Sequence, residues 1–335
     1  MRCIGGCLTP LLILFGCLTG QSQEPTFKTQ SKLVVVPVTV SDKNGQRIWD
    51  LKDGDFLLYD NGQQRKVTVE PWGTYESRIS MVVVVETNAI SQAAVVKVRK
   101  LASLVDNIIG ENGEVAIVTT DVRVEKSQDF TNNWEVLQPA FERLTATGET
   151  AGRVLDGLDA AVTMLAQKPE GRRRVILLLS EGHDHGSTAH PLAVLTRAEK
   201  ENVTIYTVNY SSFLTPFTVK ATDLETKGDG KFSLLVAPVF TQLALLARQN
   251  PGKAFAVYTG GRQLGFAHEH RLEDDFEEVA TEVHSQYQLS FAPVADPKPV
   301  YHELKVEVKG HPDALVRARP GYWIGTTVEQ TQPQK

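Results

Sequence analysis

RISMVVVVETNAIS, residues 78–91, is the stretch on which the predicted fold depends. Its apolar run over residues 81–85 is continuous, which is typical of a strand covered on both faces within a mainly parallel sheet. The run ends at the carboxylate of Glu86, and a helical pattern follows over residues 92–109. A carboxylate beside a buried strand is costly without a partner, so Glu86 indicates a metal or ligand site, or the remains of one.

Strand and helix patterns alternate through the middle of the chain. Further strands are predicted over residues 114–120, 122–130, 173–182, 203–210 and 253–258. Helices are predicted over residues 133–143, 152–167, 190–200, 238–249 and 271–285. This alternation predicts an α/β fold with a doubly wound, mainly parallel sheet and helices on both faces.

Both ends of the chain show β patterns instead. Residues 32–40 form a predicted strand followed by an Asn-Gly turn, and residues 55–72 repeat the strand and the Asn-Gly turn. Residues 285–324 again alternate between apolar and polar side chains. Neither end has enough strands for a stable sheet with its own core. We therefore expect both ends to pair into one antiparallel β-sandwich, with the α/β domain inserted between them.

The formal net charge of −5 gives no support for nucleic-acid binding. Near the N-terminus, Arg2 precedes a short apolar run over residues 7–20, a pattern that favours a cleaved export signal over a spanning helix. We therefore expect a periplasmic or secreted protein. LFGC, ending at Cys17, loosely resembles a lipoprotein box, so a lipid anchor at Cys17 is the alternative to plain secretion.

All three cysteines lie within this signal: Cys3, Cys7 and Cys17. After cleavage the chain has no thiol for a disulfide or a cysteine metal site. The predicted organisation is a signal peptide (1–23), an N-terminal β segment (24–78), an α/β domain (79–284), a C-terminal β segment that pairs with the N-terminal one (285–324) and a disordered tail (325–335).

Three separated blocks carry a family resemblance: VVVVETNAIS (82–91), LLLSEGHD (177–184) and the C-terminal YQLSFAP with ARPGYW. They resemble, in the same order, blocks of the bacterial proteins with a von Willebrand factor A-related domain. Residues 38–63 are similar to the N-terminal β segment of that family. The resemblance covers nearly all of the chain after the signal. It implies a doubly wound α/β domain with a metal-ion-dependent adhesion site above the carboxyl ends of the strands.

In that family an Asp-x-Ser-x-Ser element follows the first strand, a Thr comes from a later loop, and an Asp follows the fourth strand. Together they hold a divalent cation, typically magnesium, that bridges to an acidic group of a partner. In this sequence Glu86 stands at the first Asp, with Asn88 and Ile90 at the two Ser positions. Ser91 comes one residue late. The resemblance makes these loops the ligand-binding site.

Two later residues complete the implied site. Thr150 matches the loop Thr, and Glu181 replaces the second Asp. The implied metal ligands are Glu86, Asn88, Thr150 and Glu181, and the wider ligand-binding set adds Ser91. Magnesium demands near-ideal octahedral geometry. The longer carboxylates of Glu86 and Glu181, and the hydrocarbon side chain of Ile90 at a Ser position, should therefore weaken magnesium binding. The site is therefore predicted to be degenerate, with magnesium or calcium as the possible ion.

The function implied is an exported, non-enzymatic, adhesion-type module that binds a protein partner. The alternative is a structural or assembly component of the cell envelope, with a vestigial site and contacts through the β-sandwich. Catalysis by a nucleophile is not expected, because the chain has no G-x-S-x-G element and Ser180 lacks the tight glycine turn that would follow such a nucleophile.

Simpler interpretations accompany the site residues. Glu86 and Glu181 could cap helix N-termini or pair with basic groups. The loop EGHDHGSTAH (181–190) carries histidines that could bind zinc or copper, although a polar surface loop is the simpler interpretation. AHEH (267–270) raises the same two alternatives.

Overall fold

A computed structural model describes residues 33–70, 78–88, 98–99, 102–149, 152–180, 184–209, 250–265, 270–294 and 300–324. Its strands are β1 (Val34–Ser41), β2 (Phe56–Asp60), β3 (Gln63–Arg65), β4 (Thr68–Glu70), β5 (Ile79–Glu86), β6 (Glu114–Thr120), β7 (Val124–Thr131), β8 (Arg173–Ser180), β9 (Val203–Asn209), β10 (Gln263–Gly265), β11 (Tyr287–Phe291), β12 (Val300–Val308), β13 (Leu315–Ala318) and β14 (Gly321–Ile324). Its helices are α1 (Ala102–Ile109), α2 (Trp134–Glu142), α3 (Val154–Ala166), α4 (Pro191–Lys200), α5 (Pro251–Thr259) and α6 (His270–Ser285).

Six strands form the central sheet, in the order β10-β9-β8-β5-β6-β7. All neighbours in this sheet run parallel except β6 and β7, which are antiparallel. The strands that follow β5 in the chain, β6 and β7, lie on one side of it, and β8, β9 and β10 lie on the other side. The strand order therefore reverses between β5 and β8. In open α/β sheets, ligands bind outside the carboxyl ends of the strands at such a reversal.

The central strand β5 is buried along its whole length. Met81, Val83 and Val85 pack on the face that also receives α1, α2 and α6. Val82 and Val84 point to the opposite face, which receives α3, α4 and α5. Among the described residues, three helices thus cover each face, as the continuous apolar run predicts.

Two antiparallel four-stranded sheets form the second part of the structure. Their orders are β13-β1-β11-β4 and β14-β12-β2-β3, so each sheet contains strands from both ends of the chain. The sheets share one apolar core, in which Phe56 packs edge-on against Tyr287 with ring centroids 5.2 Å apart. Phe291 and Tyr322 make a second edge contact at 5.7 Å. Such aromatic pairs add stability beyond the area that they bury.

The antiparallel sheets contact the amino edge of the central sheet. Asn202, directly after α4, accepts a hydrogen bond from the backbone N–H of Val35 at 3.3 Å. Gly260, directly after α5, packs against β1, because a Cβ atom at this position would lie 3.5 Å from the carbonyl oxygen of Pro37. Helices that follow parallel strands run back to the amino edge, so these helix ends lie opposite the carboxyl ends of the strands. The carboxyl edge is therefore not the surface to which these sheets bind.

The predicted strand over residues 253–258 is wrong, because these residues lie in α5. The side chain of Asn250 caps the helix by accepting the N–H of Lys253 at 2.8 Å, and Pro251 occupies the first turn. Gly260 ends the helix in a left-handed conformation, with φ of 81°. A short apolar run cannot separate strand from helix, and the Asn-Pro start and Gly end were the deciding signals.

Smaller differences concern the β regions. ARPGYW spans two strands: β13 ends at Ala318, and β14 begins at Gly321 in the other antiparallel sheet. The first Asn-Gly turn leads only to an isolated bridge between Ser41 and Arg47, not to a second strand. The short edge strand β10 was not predicted.

Several predictions fall outside the described residues: the export signal (1–23), the helix over 238–249, His268 and the tail (325–335). The other histidine of that stretch, His270, is the first residue of α6. Within the part of the chain that the structure describes, no helix is both long enough and apolar enough to cross a membrane.

Candidate functional site

Glu86 and Ser180 end the neighbouring strands β5 and β8, at the reversal of the strand order. The Ser180 hydroxyl donates a hydrogen bond to Glu86 Oε2 at 2.7 Å. Glu86 is only 1% exposed and Ser180 is fully buried. A buried polar group is costly unless it is hydrogen-bonded, so the Ser180 hydroxyl offsets part of the cost of burying Glu86.

Gly152, just before α3, packs directly against the same carboxylate. A Cβ atom at this position would lie 2.0 Å from Glu86 Oε1 and 2.8 Å from Asn88 Nδ2. The backbone of Gly152 is held by His185 through two reciprocal hydrogen bonds of 3.0 and 2.9 Å. Glycine is therefore required here by close packing, and the sequence reasoning did not single it out.

The segment after β5 is fixed by backbone contacts to two other loops. The N–H of Thr87 donates to the carbonyl of Thr120 at 2.8 Å, and the carbonyl of Thr87 accepts the N–H of Thr147 at 3.0 Å. Asn88 is 2% exposed, and its Oδ1 has no hydrogen-bond partner among the described residues. A buried acceptor in this situation costs about 1–3 kcal/mol, which a cation or a ligand N–H would offset.

The loop after β8 is tied to the start of α3. Asp184 Oδ1 accepts the N–H of Leu155 at 2.9 Å and the hydroxyl of Ser187 at 2.6 Å. Asp156 in turn accepts the backbone N–H of Ala189 at 2.8 Å. The N-cap position, Arg153, supplies no side-chain cap, so Asp184 caps the helix from another loop.

These contacts bear on the histidine loop. Asp184 serves as a helix cap, and among the residues that the structure describes no group of three or more His, Cys, Asp and Glu side chains could hold a metal ion. His185 and His190 are exposed. The zinc or copper interpretation of this loop therefore gains no support from its described part, whereas His183 lies outside it.

The structure brings together Glu86 and Asn88 of the predicted site, both against Gly152. Ser91, Thr150 and Glu181 lie outside the described residues, so their part in the site stays a prediction. Ser180 is a partner of Glu86 that no local sequence pattern indicates, because the pattern around it presents it only as a candidate nucleophile. The adjacency of β5 and β8 would have indicated it.

Comparisons with known proteins give no family assignment. No protein-family model matches the chain, and no curated protein matches it. Among solved structures, the conserved hypothetical protein BatB from Bacteroides thetaiotaomicron is 13% identical, over 61% of this chain and 98% of that chain, with a TM-score of 0.43.

Two further solved structures show comparable similarity. An aerotolerance-related membrane protein from Bacteroides fragilis is 13% identical over 61% of this chain and 99% of that chain, with a TM-score of 0.43. The PilB minor pilin from Streptococcus sanguinis is 11% identical over 64% of this chain and 63% of that chain, with a TM-score of 0.42. Likenesses at this level do not assign a function.

Proposed function

We propose that this chain is a non-enzymatic protein-interaction module whose contact surface is the crevice at the carboxyl edge of the central sheet. The observation that carries the proposal is the buried Glu86–Ser180 pair at the reversal of the strand order, packed against Gly152. Within the proposed α/β domain (79–284), this is where a doubly wound sheet places a ligand. The family resemblance of the β5 and β8 blocks points to the same edge.

The chemistry of the crevice favours binding over catalysis. The Ser180 hydroxyl is fully buried and donates to Glu86, so it is not presented to a substrate. A nucleophile needs an adjacent base and access to the reacting atom. The exposed polar side chains His185, Thr188 and His190 lie on the loop that follows β8, at the carboxyl edge, and suit ordinary hydrogen bonding to a protein partner.

We propose further that the crevice binds without a resident divalent cation. Oε2 of Glu86 already accepts the Ser180 hydroxyl, and Gly152 packs closely against Oε1. Ile90 removes one hydroxyl from the family's ligand set. Magnesium requires six short oxygen contacts in a regular octahedron, and these changes oppose that geometry.

One observation favours a second candidate, in which Glu86, Asn88, Thr150 and Glu181 hold magnesium or calcium. Asn88 Oδ1 is buried beside a carboxylate, and no described residue donates to it. Two neighbouring oxygen acceptors are a donor set that suits a hard cation. The cation would then bridge to an acidic group of the partner.

Titration calorimetry and thermal unfolding with magnesium, calcium and manganese distinguish these two forms. We expect no heat of binding and no shift of Tm for any ion, both in the native protein and in the Glu86→Gln variant. An ion present at 100 times its Kd would instead add about 2.7 kcal/mol to the free energy of unfolding. A saturable heat that disappears in both Glu86→Gln and Asn88→Ala would establish the cation form.

Photocrosslinking tests which surface meets the partner. A crosslinking amino acid at His190, on the carboxyl edge, is expected to capture a protein in native envelope extract, and one at Lys305, exposed on β12, is not. Excess unmodified protein should compete the His190 product away. Capture from Lys305 alone would overturn the proposal and favour the structural envelope component that binds through the β-sandwich.

A further inference from the structure

A polar cluster is buried where α4 meets the antiparallel sheets. It contains Glu199 from the last turn of α4, Tyr301 from β12, and Arg319 from the turn between β13 and β14. Glu199 and Arg319 are each 3% exposed. Arg319 Nη1 donates to the backbone carbonyl of Glu199 at 3.4 Å, so α4 is joined here to the turn between β13 and β14.

The charged atoms of this cluster are not directly paired. Both carboxylate oxygens of Glu199 and Nε of Arg319 are buried without a well-formed hydrogen bond to any described residue, and the same holds for the Tyr301 hydroxyl. A buried charge is costly unless an opposite charge and hydrogen bonds offset that cost. The charge state of Glu199 must therefore affect how well this contact holds.

Tyr301, the aromatic member of this cluster, is closely packed. The Tyr301 ring lies 5.3 Å from that of Trp323, and a Cβ atom at Gly321 would sit 2.4 Å from Tyr301 Cζ. In such close packing, the Tyr301 side chain cannot move without displacing its neighbours.

Four groups interact electrostatically with the carboxyl of Glu199: Arg319, Tyr301, Tyr258 from α5 and the backbone N–H of Trp323. Burial raises the pKa of Glu199 to about 8, and the Arg319 charge and the Trp323 N–H act in the opposite direction with smaller effect. Glu199 thus titrates near neutral pH, whereas burial raises the pKa values of the two tyrosines above their ordinary range.

We propose that Glu199 is a proton-controlled latch that holds α4 against β12 and β14, firm when its carboxyl group is protonated and weaker when it is ionised. A protonated carboxyl removes the unpaired negative charge from the contact. An ionised one keeps that charge buried without a direct ion pair.

The direction of the pH effect follows from linkage. The pKa of Glu199 is about 8 in the folded protein, against an ordinary value of 4.5. Between these two pH values the folded protein holds a proton that the unfolded chain has released. The contribution of the latch to stability is therefore complete below about pH 4.5, falls as the pH rises, and is lost above about pH 8.

Thermal unfolding of the full chain tests the latch, with Glu199→Gln as the variant and Glu303→Gln, exposed on β12, as the matched control. The Tm of Glu199→Gln minus that of the native protein is expected to be smallest at pH 5 and to grow by several degrees by pH 9. The same difference for the control should not change with pH. A difference for Glu199→Gln that is constant with pH would overturn the proposal. A native protein that is the more stable one at pH 9 would also overturn it, because ionised Glu199 would then pair with Arg319.

Hydrogen exchange of the native protein provides a second measurement, independent of whether the variant folds. After correction for intrinsic rates, amides of residues 194–200 and 321–324 should lose protection between pH 6 and pH 9, relative to residues 175–179 in the central sheet. Equal protection changes in all three segments would contradict a local latch.

Discussion

Gly152→Ala is expected to lower the free energy of unfolding by about 2–3 kcal/mol. The added methyl group would lie 2.0 Å from Glu86 Oε1, so the carboxylate must move and leave its hydrogen bond to Ser180. Asn88 blocks the methyl group on another side, at 2.8 Å. Urea denaturation of the two proteins measures the difference.

Gly54→Ala is the matched control, because a Cβ atom there meets nothing within 4 Å. It should change stability by less than about 0.5 kcal/mol. Adding Glu86→Ala to Gly152→Ala gives the added methyl group space, so the double variant should lose less stability than the sum of the two single variants. Strict additivity would show that Gly152 does not act through Glu86.

Asp60→Ala is expected to cost about 3 kcal/mol, because it removes the acceptor of a buried network. Asp60 is fully buried, and its Oδ1 lies 2.6 Å from His302 Nδ1. Its Oδ2 accepts from Arg65 Nε at 3.1 Å and from the Tyr322 hydroxyl at 3.3 Å. These donors would be left without their common acceptor, and the partial exposure of Arg65 keeps the cost at the lower end of the range for buried pairs.

Asp129→Ala is the control for this prediction, because Asp129 pairs with Lys126 at the surface with 63% of its side chain exposed. Exposed pairs of this kind contribute about 0–1 kcal/mol. Urea denaturation again gives the comparison. A cost below 1 kcal/mol for Asp60→Ala would mean that water replaces the lost carboxylate, contrary to its complete burial.

The two-sided burial of the central sheet could be predicted from sequence, because it depends on runs such as residues 81–85 that are apolar at every position. A mixed α/β fold with a mostly parallel sheet, together with antiparallel strands from both chain ends, followed from the same reasoning, whereas the sixth strand of the central sheet, β10, did not. The misassigned residues 253–258 show its limit. There the apolar run fits both the periodicity of a strand and that of a helix. Capping by Asn250 favours the helix.

The candidate site was predictable only in part. The position of Glu86 follows from the end of its strand, which sequence shows directly. Its contacts to Ser180 and Gly152 depend on which strand lies beside β5 and on a backbone approach shorter than a methyl group allows. The role of Asp184 as a cap for α3 is likewise a contact between distant loops. Such contacts have no local pattern.

The position of β1 has a consequence for the order in which the protein folds. Its sheet neighbours are β11 and β13, which begin only at Tyr287 and Leu315. During synthesis, the valines of β1 stay without a partner strand until the chain has been made as far as β11. Pairing over such a separation is slow, and an unpaired apolar strand is prone to aggregate. Protection of β1 in a nascent chain is therefore expected to depend on a chaperone until β11 arrives.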